Sequence, residues 1–97
     1  VTPSKLLGIL LSYKTSLKAN PPVRLSPEQQ EGGSVGPEAT LNHLTYMVDE
    51  AVQHATHGKF EKALRWLGFV QGVMWCMGLR TLAELRADNR STRDDLS

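Results

Sequence analysis

A single cysteine, Cys76, stands in 97 residues, so no disulfide can close within the chain, and a four-ligand structural zinc site would have one thiol to draw on. An excess of charge of one sign is also missing. Eleven lysines and arginines against ten acids leave a formal net charge of +1, which argues against a dedicated binder of long nucleic acid. The longest apolar runs, residues 6–11 and 70–77, fall far short of the roughly 20 residues of a membrane span. The first follows a single lysine and has no small-residue cleavage site behind it, so a secretory signal is not indicated and cytoplasmic placement is the expectation. Catalytic signatures are missing as well. There is no nucleophile elbow, no P-loop lysine behind a glycine loop and no zinc-protease helix motif, and the expectation is a protein that is not an enzyme and carries no cofactor.

Chains of this length bury only about 60% of their unfolded surface. With disulfides excluded and no metal motif, self-association is the support that remains.

What is present reads as helix throughout. Thr2-Pro3 is an N-cap followed by proline at the first helical position, and Leu6, Leu7, Ile9, Leu10, Leu11 and Leu17 supply an apolar face, predicting a helix over residues 3–17 within an N-terminal segment 1–18. Asn20-Pro21-Pro22 stops it. Residues 19–36 hold three prolines, three glycines and little periodicity, the composition of a flexible linker. A second helix is predicted over 37–57, with Leu41, Leu44, Met47, Val48, Ala51, Val52 and Ala55 at spacings of three and four and Gly58 as its C′ residue. A third is predicted over 59–90, kinked or broken near Gly78. Its stripe is Phe60, Ala63, Leu64, Leu67, Val70, Met74 and Met77, and after Gly78 the Thr81-x-x-Glu84 capping box restarts it. Residues 91–97 form a charged tail, expected to fray. The fold class is therefore all-α, a short N-terminal helix plus an antiparallel helical hairpin in a single domain, assembled as a homo-oligomer.

The case for assembly lies in the third helix. Trp66, Phe69, Val73, Trp75 and Cys76 fall off its main stripe, so its middle is apolar nearly all round, more than one hairpin partner and a short helix can cover. Gly68 and Gly72, four apart, each cost roughly 1 kcal/mol against alanine and point to close approach by another helix. Met47, Met74, Met77, Trp66 and Trp75 at helical spacings read as core or subunit interface.

His43, His54 and His57 lie on the second helix, and His54 and His57 share a face. Too few further ligands accompany them for a metal site, and surface or cap roles are expected. Gly32-Gly33-Ser34 resembles a phosphate loop only superficially, having neither a preceding strand nor a following lysine.

The clearest electrostatic feature is a division along the chain. Residues 1–27 hold Lys5, Lys14, Lys18 and Arg24 and no acid, while residues 28–58 hold five acids and neither lysine nor arginine. Two readings stay open: the basic segment clamps a small phosphate-bearing ligand, with Tyr13 stacking on a base, or it docks on an acidic segment of a neighbouring subunit. Lys59, Lys62 and Arg65 make a second basic strip at a helix N-terminus, where free N–H groups also favour anions; a solvated face or pairing with acids of the preceding helix is the alternative. Arg80, Arg86 and Arg90 with Glu84 and Asp88 read as ordinary i to i+4 surface pairing.

The stretch Lys62, Ala63, Leu64, Arg65, Trp66, Leu67, Gly68, Phe69, Val70, Gln71, Gly72, followed by Trp75, Gly78, Leu79, Arg80, Thr81, Leu82, then Glu84, Leu85, Arg86 and Asn89-Arg90, resembles the second type of phage anti-CBASS proteins. These are small helical sponges that sequester cyclic oligonucleotides. The likeness covers the hairpin, about half the chain. It implies a compact helical homohexamer that binds cyclic di- and trinucleotide second messengers without degrading them, in the host cytoplasm, and so starves a defence effector of its signal. It further implies a tyrosine and a lysine in a dinucleotide pocket and an arginine in a trinucleotide pocket, for which Tyr13, Lys14 or Lys18, and Arg65 are the candidates by chemistry. A reading from another class is a helical adaptor or inhibitor that binds a host protein through its apolar helix. A third is a weak single-stranded nucleic-acid binder using the basic N-terminus.

Overall fold

A computed structural model describes residues 2–32 and 34–90. Among them the chain forms five helices and no strand: α1 (Pro3–Ser16), α2 (Pro27–Gln30), α3 (Pro37–Thr56), α4 (Phe60–Cys76) and α5 (Leu82–Arg90). The expected tail, 91–97, and Gly33 of the glycine-rich stretch lie outside the described residues.

α1 begins as its sequence dictates. The Thr2 hydroxyl accepts a hydrogen bond from the Lys5 amide at 3.3 Å, and Pro3 occupies the first turn, where no N–H is required. α3 and α4 pack as an antiparallel hairpin, and α1 lies across both. The core is continuous: Leu6 and Leu10 of α1, Leu44 and Val48 of α3, and Val70 of α4 are its largest fully buried side chains. Each contributes about 1.5–3 kcal/mol by leaving water.

Both long helices end the same way. At the close of α3 the Gly58 amide donates to the Ala55 carbonyl and the Lys59 amide to that of His54. At the close of α4 Gly78 donates to Trp75 and Leu79 to Met74. This is the Schellman arrangement, which needs its central residue at positive φ, and Gly58 and Gly78 stand at 77° and 74°.

Of the two outcomes expected at Gly78, a kink or a break, the structure has the break: the closure there ends α4, and α5 starts afresh with Thr81 and Glu84 capping each other's amides at 3.1 and 2.9 Å. The stretch 19–36, expected as a flexible linker, needs correction, because it holds regular structure. Ser26 and Gln29 form a reciprocal capping box around α2, and the Val23 amide donates to the Asn42 carbonyl of α3 at 3.1 Å, laying residues 20–26 along that helix as a strap. Among the described residues no helix of the same chain approaches Gly68 or Gly72. A Cβ at either would meet nothing within 4 Å.

Candidate functional site

The expected ligand residues separate into different environments. Tyr13 is 3% exposed, and its ring packs in the core among α1, α3 and α4 rather than on the surface where a base could stack on it. Its hydroxyl is committed too, donating to Asp88 Oδ2 at 2.6 Å and accepting from Gln71 Nε2 at 3.1 Å. Burial, and then the Asp88 carboxylate that holds its proton, push the phenol up to about 12. Tyr13 is thus a structural residue, a correction to the role given it by chemistry alone. Position 13 continues the α1 stripe from Leu6, Ile9 and Leu10, and that spacing was the available signal.

The same hydroxyl belongs to a wider polar network that seats α5. Gln71 of α4 and Asn89 of α5 exchange amide hydrogen bonds at 2.8 and 3.2 Å, and the Arg80 guanidinium grips Asp88 through Nε at 3.2 Å and Nη2 at 2.5 Å. Arg80 also reaches Glu84 at 3.4 Å, the expected surface pair. Its principal partner is eight residues on, in a part-buried fork that local spacing did not foreshadow.

Lys14 is turned toward α3, with Nζ 3.3 Å from Asp49 Oδ1, an ion contact outside hydrogen-bond geometry. Basic segment meets acidic segment here within one chain, where sequence reasoning had looked to a neighbour. Lys18 is exposed just beyond α1.

Arg65 sits in the most open chemistry of the molecule. Along α4, Lys59, Lys62, Arg65, Phe69, Gly72 and Cys76 recur at spacings of three and four and are all exposed, so one side of the helix runs from cationic to apolar. Among the described residues Lys59, Lys62 and Arg65 form no ion pair, so of the two alternatives for this strip the structure has the solvated face and not pairing with acids of α3. Phe69 is 59% exposed and Trp75 50%, and with Thr40, Gly72, Val73, Cys76 and Met77 they line a shallow depression of about 450 Å³. Met74 is in the core and Trp66 packs against it, as expected.

Beside the cationic end, His54 meets the edge of the Trp66 ring at 5.0 Å. Its pKa is held below the ordinary 6.5 by burial first and by the Lys62 charge second. The His57 ring nitrogen Nδ1 lies 2.7 Å from the Gln53 carbonyl, the cap role expected of it. Among the described residues no three His, Cys, Asp or Glu side chains are grouped to hold a metal. No helix there is long and apolar enough to cross a membrane.

Compared with known proteins, the chain matches no protein-family model, no curated protein sequence and no solved structure.

Proposed function

We propose that this chain assembles with copies of itself along the outer side of α4 and acts as a stoichiometric sponge for cyclic di- and trinucleotides, one class of which binds there. The observation that carries the reading is the helical stripe on which Lys59, Lys62 and Arg65 lead into Phe69, Gly72 and Cys76, all exposed, with the exposed Trp75 beside its end. A cyclic oligonucleotide asks for these two chemistries side by side. Its phosphates take a guanidinium fork and ammonium groups, and its bases take aromatic faces. The glycines supply the third requirement, since bare backbone at positions 68 and 72 lets a second helix come close and exclude water from the ligand. The resemblance of residues 62–90 to the phage sponges supports the ligand class, and the function that follows is counter-defence by sequestration. Lys18, and Lys14 once drawn from Asp49, serve a second phosphate site.

Calorimetric titration with a panel of cyclic di- and trinucleotides, on protein of measured assembled mass, tests the reading. Binding followed by recovery of the intact nucleotide on heating is the expected result. A cleaved product would make the protein an enzyme, and a well-folded oligomer that binds none of the panel would remove the sponge reading. Arg65→Ala is expected to lose one ligand class and Lys18→Ala the other.

The adaptor reading draws on the wholly apolar stretch of the same surface, where Phe69, Val73, Trp75 and Met77 would receive a host helix. It requires a monomer or dimer with that surface free, whereas the sponge reading expects a higher assembly that covers it.

A further inference from the structure

The strap of residues 20–26 is held on α3 by unlike anchors. One is the Asn42 carbonyl, which accepts from the Val23 amide at 3.1 Å and does not titrate in water. The other is an imidazole: the Leu25 amide donates to His43 Nδ1 at 3.1 Å. A backbone N–H can only donate, so this bond exists only while Nδ1 carries no proton. Protonating the ring turns the acceptor into a second donor aimed at the first, which removes the bond and sets two hydrogens against each other. Beyond these anchors the chain beside Leu25 reaches α3 through Arg24, which lies over Tyr46, while Val23 is exposed and Gln30 Nε2 holds the Leu25 carbonyl from the adjoining α2.

The surroundings bias the ring toward its neutral, strap-holding form. Arg24 of the strap is, among the described residues, the charge that acts on the imidazole, and Tyr46, one turn along α3, is the titratable ring stacked on it at 5.7 Å. Arg24 in turn lies 5.9 Å above the other ring of the stack, Tyr46. Burial first and the Arg24 charge second keep His43 below its ordinary 6.5. A histidine depressed in this way stabilises the closed strap fully above about pH 6.5, and the stabilisation is lost as pH falls through the depressed value.

We propose that His43 is a proton-operated catch: neutral, it fastens residues 20–26 to α3, and protonated, it releases them and uncovers the Arg24 side of Tyr46.

Amide hydrogen exchange, expressed as protection factors at pH 5 and pH 8, tests this residue by residue. The Leu25 amide is expected to lose at least about tenfold in protection at the lower pH, while Val48 and Val70 in the core keep theirs. In His43→Asn the amide oxygen supplies an acceptor near the position of Nδ1 that does not titrate, and Leu25 should stay protected at both pH values. In His43→Ala it should be unprotected at both. Arg24→Gln should move the release to higher pH. Equal Leu25 protection at pH 5 and pH 8 in the parent chain overturns the proposal, as does an unchanged pH response in His43→Asn. Loss of Val48 and Val70 protection together with Leu25 also overturns it, because opening would then be global.

Discussion

Tyr13 shows what one side chain decides here. Removing its hydroxyl, Tyr13→Phe, leaves Asp88 without its phenolic donor and Gln71 Nε2 without one of its two acceptors in a part-buried setting, and should destabilise the chain by about 1–3 kcal/mol in urea denaturation. The parent protein should show a phenol that ionises near pH 12 in an ultraviolet titration, and that step should vanish in Tyr13→Phe. The sign follows from the raised value. The protonated phenol stabilises the fold fully below its ordinary 10, and the contribution is lost as pH climbs through about 12. The burial of Tyr13 was legible, since the residue sits on the α1 stripe. What its hydroxyl meets was not, because Asp88 is 75 positions away and no periodicity spans that distance. The same holds for Lys14, whose acid-free neighbourhood suggested an outward role although one turn of packing brings Asp49 to it.

At the level of elements the ends of helices were read better than their interiors. Thr2-Pro3, Gly58, Gly78 and the Thr81-Glu84 box all do what local chemistry requires. Thr81→Ala should therefore cost about 1 kcal/mol, read as lower thermal or urea stability. The backbone amide of Thr81, first among the influences, keeps the exposed Glu84 carboxyl below its usual range. α2 was missed although its signal was present: Ser26 and Gln29 have the spacing of a capping box, but the prolines and glycines around them carried more weight in the composition. A four-residue helix offers no periodicity to set against them.

For the whole molecule the decisive question is what meets α4. Gly72→Ala is expected to raise the stability of an isolated subunit by about 1 kcal/mol, because the added methyl meets only open space and alanine favours helix. In an assembly that brings a second helix against this glycine the same methyl should weaken association, so sedimentation and urea denaturation should move in opposite directions. An increase in stability with unchanged mass would place the contact elsewhere. Sequence alone identified the surplus of apolar surface on this helix, and the structure locates it at Phe69 and Trp75. The polar seat of α5 adds a constraint of another kind. A helix resting on Leu85 alone would be free to turn or slide along its bed, whereas the bonds from Tyr13 and Arg80 to Asp88 and from Gln71 to Asn89 hold its position along the bed. The set of α5 is therefore steered by a phenol near the start of the chain, and altering that phenol should turn the last described helix as well as loosen it.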